Sequence, residues 1–205
     1  MDREAKRQEL ERLRQAVERL ESELAQQESA VQWPPRDYYT TYHVLAGCVL
    51  GAAGAMTSLL FNIIGSSVAG LHPLQLIRVY LTFPLGEAAL YTDSGLALAI
   101  GCCLYLATGT VLGVPFQLVL SRWFPNAPFA TRFVVVSGLA LLLWVINFYG
   151  ILSWLQPLLL GGRWILDEIP WWVAATTHLV FGWTMLLVQP LGVFIPYQQP
   201  HTEAS

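Results

Sequence analysis

The chain has 205 residues, of which 55% are hydrophobic and only 12% charged, with a formal net charge of −3. Soluble domains carry roughly 25% charged residues, so the composition argues against a soluble globular protein. The balance of charge also leaves no basic footprint for nucleic acid. Its placement is uneven: residues 1–30 hold six basic and eight acidic side chains, and the rest of the chain holds five Arg and six acids.

The head, residues 1–32, reads as a charged heptad helix. Leu10, Leu13, Val17, Leu20 and Leu24 are spaced 3, 4, 3, 4, which is an a/d seam suited to coiled-coil docking. Arg7–Glu11 and Arg19–Glu23 stand at i,i+4 and would add support. About two and a half heptads are marginal for an isolated helix, so the head is expected to pair with a second copy or a partner helix. Pro34 and Pro35 end it. No apolar core follows a short basic start, so no secretory signal peptide is expected, and the first apolar stretch would act as an uncleaved anchor.

Residues 33–195 contain four long apolar stretches, at about 43–68, 95–120, 132–155 and 170–190. Each exceeds the ~20 helical residues that cross a bilayer. None contains Asp, Glu or Lys, and Arg132 stands at an edge. The expectation is an all-α integral membrane protein. It would be a four-transmembrane-helix bundle with an N-terminal cytoplasmic amphipathic helix, interfacial helices in the outer loops and a polar tail at 196–205. Arg36, Arg122 and Arg132 bias one side, which predicts cytoplasmic N- and C-termini in a prokaryotic cytoplasmic membrane. Trp33 and Trp123 would mark the inner interface, and Trp154, Trp164, Trp171 and Trp172 the outer one. In the 69–94 connection, LQLIRVYLTF is apolar but too short to span and reads as interfacial or re-entrant. QPLLLGGRWIL, in the 156–169 connection, reads as a second such piece.

Membrane helices associate through small residues. The first span offers Gly47, Gly51 and Gly54, together with His43, Ser58, Asn62 and Gly65, at spacings of three or four. The second offers Gly101, Tyr105, Gly109, Gly113 and Gln117 on one face, and the fourth His178, Gly182, Met185 and Gln189. Gly47–Gly51 and Gly109–Gly113 are GxxxG pairs. Asn62, Asn147 and His178 fall roughly 9–12 Å below the outer end of their spans at helical rise, with Tyr105 at a similar level. These four form a candidate polar layer, either an interhelical hydrogen-bond lock or a ligand site.

No side-chain set carries obvious catalysis. No Walker, HExxH or GxSxG motif is present, and Glu87 and Asp93 have no evident partner. Cys48, Cys102 and Cys103 read as apolar filler. No metal site is expected and no cofactor is required. Haem b or a quinone are the groups the outer layer could take; His72 with His178 is the only histidine pair conceivable for haem, since His43 lies at the other end and His201 in the tail. The expected function is a non-catalytic accessory, structural or assembly subunit of a larger membrane complex, with respiratory or photosynthetic assemblies as a natural setting. It would contact lipid and dock on other subunits, or on itself, through the head and the Gly-rich faces. The alternatives are a small oligomeric channel or uncoupled carrier, and a redox subunit binding haem b or quinone.

Overall fold

The computed structural model describes the backbone of residues 3–30 and 35–193 and the side chains of 8–24 and 40–193. His201, the 196–205 tail, Trp33 and Pro34 lie outside the described residues, as do the side chains of Arg7 and Arg36. Among the described residues every regular element is helical. The chain divides into two compact units, Met1–Tyr39 and Thr40–Ser205.

In the first unit, α1 runs from Arg3 to Ala30. Its Glu, Leu, Arg, Gln and Ala residues are strong helix formers, and it contains neither Gly nor Pro. The seam residues Leu10, Leu13, Val17, Leu20 and Leu24 are all 52–62% exposed. Arg19 and Glu23 do not form the expected ion pair. Exposed long side chains gain little from such a contact and lose rotamer freedom by making it.

Four helical segments are long and apolar enough to cross a membrane: Thr40–Val68, Gly95–Trp123, Phe129–Leu160 and Trp171–Gly192. The first belongs to α2, Pro35–Val68, with Pro35 at the first helical position, where its missing N–H costs nothing. α2 closes at Gly70, whose φ of 72° lets Leu71 N–H return to Ser66 O at 2.9 Å. The second is α5, Gly95–Trp123, started by Ser94, whose hydroxyl accepts from Ala97 N.

The third is continuous over a greater length than the 132–155 expected. It comprises α6 (Phe129–Val145), a π-helical stretch (Ile146–Leu152) and α7 (Ser153–Leu160), and it stops at Gly161 with φ 76°. Gln156 and Pro157, read from sequence as loop, are therefore helical. The apolar run LLL following them sustains the helix, and the glycine pair ends it. The fourth is α9, Trp171–Val188, continued by a 3-10 turn at Gln189–Gly192.

The 69–94 connection folds as α3 (Gln75–Tyr80), α4 (Thr82–Leu85) and a 3-10 turn at Gly86–Tyr91. Ile77, Val79, Leu81 and Thr82 are fully or almost fully buried. A Cβ on Gly101 of α5 would come within 2.5 Å of Ile77 Cγ2, so α3 is seated directly on that glycine. α8, Trp164–Glu168, contributes Ile165 to an apolar cluster with Val79, Leu90, Phe148 and Ala174. The two connections thus share a core with the long helices.

Asp93, which had no evident partner in the sequence, is paired with Arg78, and His72 Nε2 lies 3.9 Å from the same carboxylate. Arg78 Nε also donates to Thr92 O at 3.0 Å. The partner became visible only when α3 placed Arg78 beside residues 92–93. Glu87 stays exposed.

Candidate functional site

The glycines decide how closely the long helices approach. A Cβ on Gly51 would lie 2.5 Å from Gly109 O and 2.8 Å from Gly113 Cα, and one on Gly47 would lie 2.8 Å from Val114 Cα. The backbones of α2 and α5 are therefore in direct contact along both GxxxG pairs, and the helices run antiparallel. Gly54 faces the Phe181 ring of α9. A Cβ on Gly182 would meet Val136 Cγ1, Ala140 Cβ and Phe116 at 3.0–3.2 Å. Of the eight glycines named from the sequence, Gly47, Gly51, Gly54, Gly101, Gly109, Gly113 and Gly182 are buried between helices of this one chain, whereas Gly65 is exposed and a Cβ there would meet nothing within 4 Å. Met185, Leu120, Val136 and Ala140, each 0% exposed, complete this core.

The polar layer resolves into three parts. Asn62 Nδ2 donates to Thr177 Oγ1 at 2.9 Å and to Ser58 O at 2.8 Å, which ties α2 to α9. The hydroxyls of Ser58 and Tyr105 meet at 2.9 Å, which ties α2 to α5. Asn147 and His178 join neither link. Asn62 is therefore separated from Asn147 and His178, with which its estimated depth had grouped it, and is joined to Tyr105 through Ser58.

Asn147 and His178 instead line a cavity of about 560 Å³, together with Tyr105. Its walls come from α2 (Ala55, Ser58), α3–α4 (Tyr80, Phe83), α5 (Leu104 to Leu112), the π-helical stretch, α8 and α9. The lining is mainly apolar and aromatic, with a few polar groups, which is the usual make-up of a small-molecule site. Leu104 and Ile151 are 42% and 38% exposed and also line the cavity. Ala107 and Thr108 are exposed as well. The mouth thus lies on the flank of the apolar helices, between α5 and the π-helical stretch.

Asn147 stands in that π-helical stretch, whose wider turn alters the side-chain register of α6. Its amide has no hydrogen-bond partner among the described residues. His178 Nδ1 is 2.8 Å from Ala174 O. A carbonyl oxygen only accepts, so Nδ1 donates and Nε2 of the neutral ring is left as an acceptor. Phe148, next to Asn147, meets the His178 ring edge-on at 6.1 Å.

Sequence reasoning missed several contributors. Tyr80 hydrogen-bonds Thr108 across the α3–α5 wall. Gln156, 0% exposed, donates to Thr82 Oγ1 at 2.8 Å and accepts from Ile165 N at 3.0 Å, locking α4, α7 and α8 together. Thr177 was detectable as a hydroxyl beside His178 at the same depth. Tyr80 and Gln156 gave no signal, because their roles depend on how the connections fold back.

At the opposite end, Gln117 Nε2 donates to Gly192 O at 2.9 Å and stands 3.4 Å from His43 Nδ1. Arg132 donates to Gln189 Oε1 at 2.8 Å. These contacts tie the helix ends together there. Cys48 and Cys102 are half-buried and Cys103 is exposed, all as free thiols. No cluster of metal-ligating side chains occurs among the described residues.

The residues around the cavity do not suit haem b. They supply one imidazole, since His72 accepts from Leu74 N at the 69–94 connection and is not part of the lining. Among the described residues the lining also holds no Arg or Lys to meet the propionates. The chain matches no protein family, no curated protein sequence and no solved structure.

Proposed function

We propose that the chain is a non-catalytic accessory or assembly subunit of a larger membrane complex, docking through α1. The observation that supports this reading is the complete a/d seam of α1, Leu10 to Leu24, standing 52–62% exposed on an otherwise charged helix. Such a seam is stabilised when a partner helix covers it. The glycine faces are already occupied within the chain, so docking falls to α1 and the lipid-facing helix surfaces. A channel built by joining copies through those same glycines would lack its interface. In this reading the four spans form a bundle in a prokaryotic cytoplasmic membrane, with both termini cytoplasmic and respiratory or photosynthetic assemblies as the setting.

Native mass spectrometry of the gently extracted full chain tests it. Stoichiometric foreign subunits should be present, and the pair Leu13→Asp with Leu20→Asp should release them. A lone monomer, or a homo-oligomer that conducts ions in liposomes, would overturn the accessory role. Reporter fusions at residues 1 and 205 test the orientation.

A second reading has its own observation, the cavity bearing Asn147 and His178. It supports a subunit that holds an apolar ligand of quinone size, open to the bilayer through the flank between α5 and the π-helical stretch. Substituting Ala107→Phe at the mouth should exclude such a ligand.

A further inference from the structure

We propose that the cavity takes an aromatic alcohol, a phenol or quinol, with its hydroxyl held between His178 and Asn147. The proposal rests on the second reading above, that the cavity is a ligand site. Its specific content is that a hydroxyl is selected over a ketone or ether oxygen.

The argument starts from His178. Its Nδ1 donates to Ala174 O, one turn back on α9. Among the described residues no carboxylate lines the cavity to stabilise a second ring proton, and a charged ring at bilayer depth would be costly. Nε2 is therefore an acceptor with no partner among the described residues. An apolar wall with a bare acceptor favours a ligand donor, because an unmatched buried polar atom is costly. A quinone or ether oxygen would bring a second lone pair against the first. A hydroxyl brings a proton.

Asn147 supplies the complementary half. Its amide N–H groups are uncommitted and can donate to the same hydroxyl oxygen while that hydroxyl donates to Nε2. Phe148 links the two positions: it adjoins Asn147 in the chain, and its ring meets that of His178. The other polar atoms of the lining are already satisfied. Tyr105 is bonded to Ser58, Tyr80 to Thr108, and Thr177 to Asn62 and Val173 O. The hydrogen-bonding demand of the cavity is thus confined to one place.

The walls point to a ring. Tyr80, Phe83, Tyr105, Phe148 and Phe181 all contribute surface, and aromatic faces and edges pair favourably with another ring. A volume of about 560 Å³ exceeds that of a single ring. It leaves space for the start of an alkyl or isoprenoid tail leaving through the flank between Leu104 and Ile151.

The test uses the full chain in nanodiscs with three redox-inert probes, 4-nonylphenol, 4-nonylanisole and 1-dodecanol. Binding is read by equilibrium dialysis, with empty nanodiscs subtracted. The phenol should bind about tenfold more tightly than the anisole, the step expected for one buried hydrogen bond. It should also exceed dodecanol, which has the hydroxyl but no ring. His178→Phe should abolish the phenol–anisole difference. His178→Gln, which restores an acceptor, should recover part of it. Either variant that fails to fold is replaced by Asn147→Leu, which removes the donor to the ligand oxygen and should weaken phenol and anisole alike, several-fold, while their difference persists; unchanged binding of both would overturn the placement of the hydroxyl at Asn147.

Equal binding of phenol and anisole, with both excluded by Ala107→Phe, would leave the cavity as a site and overturn the hydroxyl selection. Dodecanol matching the phenol would overturn the aromatic part. If no probe binds and Ala107→Phe changes nothing, the ligand-site reading itself fails. Haem uptake giving a Soret band lost in His178→Phe would replace the hydroxyl with iron.

Discussion

The same two helices, α2 and α5, behave differently at their two ends. Towards Gly47 and Gly113 their backbones touch. Towards Ser58 and Tyr105 they are held apart by a hydroxyl pair at 2.9 Å, and the cavity lies alongside. The cause is the residue at each contact. Glycine has no side chain and permits backbone contact, whereas a serine facing a tyrosine sets a spacer that must also be hydrogen-bonded. A single pair of helices thus produces a sealed seam at one end and a receptive volume at the other.

That contrast can be broken most severely at the seam. Gly51→Val would drive side-chain atoms into the Gly109 and Gly113 backbone, which cannot yield as a flexible side chain would. A loss of about 3 kcal/mol or more is expected, visible as lost monodisperse protein or an early transition in detergent-induced unfolding. Gly51→Val folding at wild-type stability would show that the two backbones do not touch.

Gln156→Leu should come next. It removes the acceptor of Ile165 N–H and the partner of the Thr82 hydroxyl at a fully buried position. A cost of roughly 1–3 kcal/mol is expected, together with faster proteolysis of the 161–170 connection. Asn62→Leu removes one interhelical bond to Thr177 and should cost about 1 kcal/mol in the same unfolding assay.

The smallest effect sharpens the comparison. A Cβ on Gly138 or Gly65 meets nothing within 4 Å. Gly138→Ala should leave stability unchanged or raise it by up to ~1 kcal/mol, through helix propensity alone. If Gly138→Ala cost as much as Gly51→Val, position along a glycine-rich helix, and not contact, would be the governing variable.

The spans were legible because their signal is local. Twenty or more apolar residues without a charge declare themselves in a window, and the four segments fall within a few residues of the expected ones, apart from the third. The third ran longer because Gln156 and Pro157 resemble a loop in sequence, while Gln156 is satisfied by Thr82 and Ile165, which are distant in the chain. The candidate layer was legible only as a depth. Depth placed Asn62, Tyr105, Asn147 and His178 at a common level, but it carries no rotational information. A π-helical stretch inserted at Asn147 changes that rotation further.

Composition and periodicity alone determined that the chain has four apolar helices able to cross a membrane and a charged helix with a leucine seam before them. Those properties depend on residues within one or two turns of one another. Tertiary structure decided that Asn62 locks α2 to α9 while Asn147 and His178 face a cavity, and that Asp93 has a partner. It also decided that the 69–94 connection packs into the core. Each of these turns on which face of one helix meets another, and that is settled by contacts between residues far apart in the chain.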